Sequence, residues 1–263
     1  MQDSLAVSGH AGWHIVNATP DVRFQIENTA ALRPGPGIRE TPIHSLLLTD
    51  AELDHTIGLL ILRERTAIDV RATRAVLDIL EDAFPVKRIL QSYTCLRFLE
   101  VTPGESFPLD EGSVVVTPVA LGCKRPGYGS ACSKSSNDLV VGYRFHSLPS
   151  GRVAAYAPQI GEWNDNVEKL LKDADLIFCD GTFASEDELV KLGITKATAS
   201  VMGHLPLFGK NGLADKLCRF TSARKFLIHV NNTNPVLDAC SPESAILAKL
   251  GIRIAEDGME FEL

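Results

Sequence analysis

Apolar runs divide this chain into short strands, and apolar positions spaced at the helical period mark the segments between them. Residues 4–18 read as two strands, SLAVS and WHIVNA, joined by His10-Ala11-Gly12. Asp21–Ala31 reads as a short helix started by Thr19-Pro20-Asp21. Arg33–Pro42 is a loop rich in Gly and Pro. His44–Leu48 is apolar without strict alternation, the pattern of a central strand covered on both faces. Beyond it the pattern predicts a helix over Thr56–Arg63, a strand over Ile68–Ala72, a helix over Arg74–Glu81, and strands over Ser92–Leu99 and Ser113–Ala120. Leu121–Asn137 has few core formers and several basic residues, so it reads as a long loop.

The remaining pattern predicts strands at Leu139–His146, Arg152–Ala157, Asp175–Cys179 and Lys225–His229. Helices are expected at Asn164–Ala174, Glu186–Leu192, Leu213–Cys218 and Ser241–Leu250, with a final hairpin over Arg253–Ala255 and Glu260–Leu263. Strands mixed with helices along the whole chain indicate a layered α/β protein. The length of 263 residues and 45% apolar content permit a substantial core. The formal net charge of -7 argues against nucleic acid as partner, because phosphate binding wants a basic face. No apolar run approaches the roughly 20 residues that span a membrane, and the first residues lack a basic-then-apolar export signal. Six cysteines are scattered without a C-x-x-C pair, which gives no support to a zinc knuckle. Reduced thiols and a cytoplasmic location are therefore expected.

Three buried-type strands end in a group that can bind a cation: LLLTD at Asp50, IFCD at Asp180 and FLIH at His229. Ligand sites of layered α/β proteins gather at such ends. The stretch LLLTDAELDHTIGLL packs Asp50, Glu52, Asp54 and His55 between two apolar runs. Four ionisable groups this close repel and lose hydration when buried, and a bound metal removes both costs. A solvated turn with a helix-capping acid is the plain alternative. Asp180 precedes Gly181 in a tight turn and is as suited to capping as to ligation. His204, in Met202-Gly203-His204-Leu205-Pro206, and His229, before an Asn-rich turn, are each explicable as packed turn residues. Together, carboxylates and imidazoles fit a divalent metal. A carboxylate-heavy set leans toward iron or manganese over zinc. His55, His229 and either Asp54 or Asp180 would make a facial set of two histidines and one carboxylate. No dinucleotide fingerprint, phosphate loop or serine elbow is present. Cys123 lies beside Lys124 and Arg125, cations that would favour its thiolate, and a solvent-facing bystander cysteine is the plain alternative.

The segments NATPDVRFQI, TPIHSLLLTDAELDHTIGLLILRE, DLIFCDGTFASEDEL, MGHLPLFGKNG and HVNNTNPVLD, then EDGMEFEL, resemble the pyrroloquinoline quinone (PQQ) biosynthesis protein B family of the metallo-β-lactamase superfamily. The resemblance implies one domain over residues 1–263, an αββα sandwich with metal at one edge of two facing sheets. The superfamily's H-x-H-x-D-H motif is altered here. Asp50 and Glu52 stand at the two early histidine positions, while Asp54 and His55 match the last two. Asp180 matches the second-site aspartate, His229 the last histidine and His204 the family's M-G-H histidine. The middle histidine has no counterpart in PVALGCKRP, where Cys123 is the candidate substitute. The family's glycine-rich segment and its C-x-C-x-x-C zinc set have no counterpart either, so the N-terminal strand is expected to be missing or modified. The implied ligands are Asp50, Glu52, Asp54, His55, Asp180 and His229. The implied catalytic groups are Asp54 and His204, with His204 moving protons. The first functional reading is an iron- and oxygen-dependent hydroxylase of a tyrosine-derived precursor. Fe(2+) is favoured there over Zn(2+) or Mn(2+), and Lys124, Arg125 or Lys134 would receive the precursor's acid groups. The alternatives are a metal-dependent hydrolase of an ester, thioester or phosphoester, and a non-catalytic carrier of PQQ or its precursor. The expected partners are a small-molecule or peptide-derived substrate and a second copy of the chain, because an exposed sheet edge invites pairing.

Overall fold

The computed structural model describes residues 3–9, 11–38, 40–62, 67–129 and 136–263. Expectations for His10, Arg63, Cys132 and Lys134 lie outside the described residues. The chain divides into two compact units, Gln2–Val141 and Gly142–Leu263.

In the first unit, β1 (Leu5–Ser8), β2 (Trp13–Val16), β3 (Ile43–Leu47), β4 (Asp69–Ala72) and β5 (Arg97–Glu100) form one sheet in that order. β1 is antiparallel to β2, and every later pair is parallel. Ser45, Leu46 and Leu47 of β3 are all buried, as a central parallel strand requires. The sheet is accompanied by α1 (Val22–Asn28), α2 (Leu53–Thr56), α3 (Arg74–Asp82) and α4 (Val86–Leu90). α3 buries Val76, Leu77, Ile79 and Leu80 in the same core as Leu46, Leu48, Val70 and Ala72. Each such aliphatic side chain contributes about 1.5–3 kcal/mol by leaving water. Thr73 caps α3 by accepting from the Val76 amide. β6 (Phe107–Leu109) and β7 (Val114–Gly122) form an antiparallel hairpin.

In the second unit, β8 (Val140–Ser147), β9 (Val153–Ala157), β10 (Leu176–Asp180), β11 (Arg224–Ile228) and β12 (Ile252–Ile254) are neighbours in chain order. β8 and β9 are antiparallel, and the pairs β9–β10, β10–β11 and β11–β12 are parallel. Its helices are α5 (Asp165–Leu171), α6 (Glu188–Lys191), α7 (Ala199–Met202), α8 (Leu213–Leu217) and α9 (Pro242–Lys249). Asn164 starts α5 by accepting from the amides of Asn166 and Val167.

Three expectations need correction. The helix predicted from Thr56 begins earlier, as α2, and tightens to a 3-10 turn over Ile57–Leu60. Its tightening brings Gly58 N within 2.8 Å of the Ala18 carbonyl, a close approach only glycine allows. The strand expected at Ser92–Leu99 starts only at Arg97, because α4 and its closing turn occupy the preceding residues. The final hairpin does not form: β12 pairs parallel with β11, and Phe261 instead packs edge-on against Phe226 at 4.7 Å between ring centres.

Candidate metal centre

Because β10 and β11 are parallel with Asp180 opposite Ile228, the Asp180 carboxylate and His229 leave the same sheet edge. Gly181 makes the turn after Asp180. A Cβ there would lie 2.9 Å from both Leu227 Cβ and Val230 Cγ2. His229 itself is left-handed, with φ of 54°. His204 arrives from α7, which Gly203 terminates at φ of 90°. Donor atoms of Asp180, His204 and His229 lie within 4.8 Å of one another. The two imidazoles are stacked, 5.2 Å apart at 20°, and Phe183 packs edge-on against His204 at 5.8 Å.

One hydroxyl organises the group. Thr182 Oγ1 donates to Asp180 Oδ1 at 2.6 Å. With its only proton used, it accepts from His204 Nδ1 at 3.0 Å and His229 Nδ1 at 2.7 Å. His204 Nδ1 also donates to Asp180 Oδ2 at 2.8 Å. Both rings therefore carry a proton on Nδ1, which leaves Nε2 as the nitrogen for a metal. The amides of Thr182 and Ile160 donate to Asp180 at 3.0 and 2.9 Å. Burial alone would raise the Asp180 pKa. The neighbouring His204 and His229 and the Thr182 hydroxyl outweigh it and hold the carboxyl below its usual range. An anionic oxygen with two oriented imidazoles is a donor set for a divalent metal.

The structure thus brings together Asp180 and His229, both expected as ligands, with His204, expected only to move protons. Thr182 escaped sequence reading, although D-G-T after a buried strand placed a hydroxyl two residues from a candidate ligand.

An ionic cluster also lies in the first unit. Asp50 is buried directly after β3 and accepts from His55 Nδ1 at 2.8 and 2.7 Å, Thr49 Oγ1 at 2.8 Å and the Glu52 amide at 2.8 Å. On the ring's other side, His55 Nε2 lies 3.2 Å from Asp3 Oδ2, which also accepts from Asn17 Nδ2 at 2.8 Å. Burial pulls the His55 pKa down, but Asp3 and Asp50 overcome it and raise it well above the usual value. For Asp50 burial is again the opposing effect, and His55 wins by lowering its pKa. Asp50 thus orients the ring through Nδ1, and Nε2 faces Asp3. Asp54 is half exposed, with its carboxylate 3.9 Å from His55 Nε2. Glu52 is pushed up by burial, then by Asp50 and Asp54, with Lys124 and His55 opposing. Among the described residues, Asp50 and Glu52 join no group of three donors close enough to share an ion. Asp50 orients His55 in this arrangement. Asp3 was not anticipated at all. Cys123 is exposed, and Lys124 Nζ donates to the Arg125 carbonyl at 3.2 Å.

The Beta-lactamase superfamily domain matches residues 12–230, a span that includes residues of both units. Coenzyme PQQ synthesis protein B from Cupriavidus taiwanensis is 44% identical over 272 residues, covering 100% of this chain and 87% of that protein. The protein of the same name from Methylococcus capsulatus is 38% identical, covering 100% and 88%. The chain belongs to the coenzyme PQQ synthesis protein B family. The crystal structure of Zn(2+)-bound PqqB from Methylobacterium extorquens matches with a TM-score of 0.90 at 29% identity, covering 100% of this chain and 88% of that one. The fold is accordingly the αββα type of the metallo-β-lactamase superfamily. A PhnP-family diphosphatase (TM-score 0.65, 19% identity, 99% and 84% coverage) shares the fold. Membership in the PQQ synthesis protein B family, with the Asp180–His204–His229 donor set, makes this chain a metal-dependent enzyme binding a divalent ion. No described helix is long and apolar enough to cross a membrane.

Proposed function

We propose that the protein catalyses a metal-dependent step on a small, acidic precursor in PQQ biosynthesis, with Asp180, His204 and His229 as metal ligands. The observation that carries this is the shared Thr182 hydroxyl, which sets both imidazoles in the tautomer a metal needs. A bound divalent ion would supply Lewis acidity and an activated water or oxygen ligand. Asp180 contributes the anionic oxygen and holds His204, and Thr182 holds both rings. In the first unit, Asp50 orients His55 through Nδ1, and Asp3 faces its Nε2. We read the four acidic-motif residues Asp50, Glu52, Asp54 and His55 as supporting that unit's role in the reaction, with Asp54 the half-exposed group suited to proton transfer.

Hydrolysis is the reading with the more direct support, since the 29%-identical relative binds Zn(2+). Oxygen-dependent hydroxylation is the second reading. It is favoured by the two-histidine, one-carboxylate composition of the donor set, the ligand set of non-haem iron oxygenases. The net charge of -7 supports a partner other than nucleic acid. The single span of the superfamily match supports one domain over residues 1–263. We also read the protein as cytoplasmic and homodimeric, with β1 as the edge strand available for pairing; sedimentation analysis tests the dimer.

Metal analysis after anaerobic purification separates the readings. Zinc with oxygen-independent turnover of ester or phosphodiester substrates supports hydrolysis. Iron with oxygen uptake on a tyrosine-like substrate supports hydroxylation. Metal content should fall sharply in His204→Ala and His229→Ala, and unchanged content in both would defeat the proposal.

A further inference from the structure

At the far end of β11 from His229, four cations line one cavity of about 480 Å³: Arg224, Lys225, Lys249 and Arg253. No acidic residue lines it. Strand alternation puts Arg224 and Phe226 on one face of β11 and Lys225 on the other, so the cavity wraps the N-terminal end of the sheet. Arg224 and Arg253 sit over the Phe226 ring at 5.6 and 5.5 Å, which holds both guanidiniums in place. Lys225 is buried, and its Nζ donates to the Phe220 carbonyl at 3.3 Å, using one of three donors. Lys249 closes α9 beside Gly251, whose φ of 66° turns the chain into β12.

None of these four cations forms an ion pair with a described residue, whereas Arg23, Arg74, Arg97, Lys191 and Arg219 all do. An unpaired cationic cluster is unexpected in a chain of net charge -7. Like charges held together repel, and a half-satisfied buried ammonium carries a desolvation cost. A bound anion relieves both through charge-assisted hydrogen bonds. We propose that this cavity binds a small, multiply charged anion bearing two or more phosphate or carboxylate groups. Its volume lies within the range of small-molecule sites. The placement of four cations at one sheet end suits a compact anion better than an extended polymer. The site is independent of the metal centre and does not depend on the reaction proposed for it.

Calorimetric titration of the full chain with pyrophosphate, and separately with citrate, tests this. Saturable binding of at least one anion is expected, weakening with added salt. Binding of pyrophosphate alone identifies a phosphate site, citrate alone a carboxylate site, and both a site that reads charge. Lys249 and Arg253 are exposed, so the Lys249→Ala/Arg253→Ala double variant should keep its fold while binding at least about tenfold more weakly. Lys249→Glu alone should abolish binding. His229→Ala should bind the anion as the wild type does, which separates this cavity from the metal centre. Absence of binding to the wild type, wild-type binding by either Lys249 variant, or loss of binding in His229→Ala would overturn the proposal.

Discussion

The Thr182 hydroxyl decides which nitrogen of two imidazoles carries a proton. Thr182→Val keeps the shape and removes that acceptor. Metal affinity should fall about 10–100-fold, the usual effect of losing a group that orients ligands. Thr182→Ser should recover most of it, and chelator competition measures both. A second residue-scale consequence lies at His14, where Nδ1 meets Ser45 Oγ at 2.7 Å. Burial, aided by His44 and Arg71, lowers its pKa from 6.5 to about 4 against the pull of Asp110 and Asp69. The unfolded chain therefore takes up a proton near 6.5 that the folded chain refuses until about 4. Stability should fall as the pH drops through that window, by roughly 3 kcal/mol at most. Urea midpoints across the window should flatten in His14→Gln. Asp180 and His229 were legible in sequence because each ends an apolar run with a donor. Thr182 and Asp3 were not, because a hydroxyl or a lone acid near the start of a chain carries no periodic signal. Asp50 was legible as a charge to be neutralised, while its bond to His55 was not.

The strands that position the site were readable as elements. β3, β10 and β11 are mostly buried, so each carries an apolar run that ends abruptly. Short elements were missed for the opposite reason. α4 and β6 have five and three residues, too few to establish a period. The C-terminal hairpin was wrongly expected because an Asp-Gly turn between apolar residues signals pairing, whereas Phe261 finds a better place against Phe226 and Phe178. The early start of α2 and its tightened continuation depend on Gly58. A Cβ there would meet the Thr19 carbonyl at 2.5 Å and the Ala18 carbonyl at 2.6 Å, both immovable without shifting backbone. Gly58→Ala should cost about 1–3 kcal/mol by overpacking. It should also disturb the bond from Ala18 N to the His55 carbonyl, 2.7 Å long. Denaturation midpoints and the His55 imidazole NMR signals report the two effects.

For the whole molecule, the metal should act as a stabiliser of the native state. At a free ion concentration 100 times the Kd, linkage adds about 2.7 kcal/mol to the unfolding free energy. Melting temperature should rise on adding Zn(2+) and stay unchanged in His229→Ala. Hydrogen exchange should slow most around Leu176–Asp180 and residues 203–231, where the proposed ligands reside. Equal slowing throughout β1–β5 would contradict a metal held by the second unit. At this scale the family, fold and divalent-metal chemistry could be read from the ordered set of motifs. The division of labour between the two acidic clusters could not, because it depends on which carboxylate each histidine meets.

His229 sits where backbone and chemistry disagree. Its left-handed φ of 54° is one that glycine adopts without penalty, while its imidazole is a ligand of the proposed metal centre. Selection for robustness alone would drift this position toward glycine or asparagine, and only selection for the reaction keeps a histidine there. A sequence lineage that loses its substrate should therefore lose this histidine early, while the surrounding strands persist. The residue at position 229 becomes a record of whether a descendant still works as an enzyme.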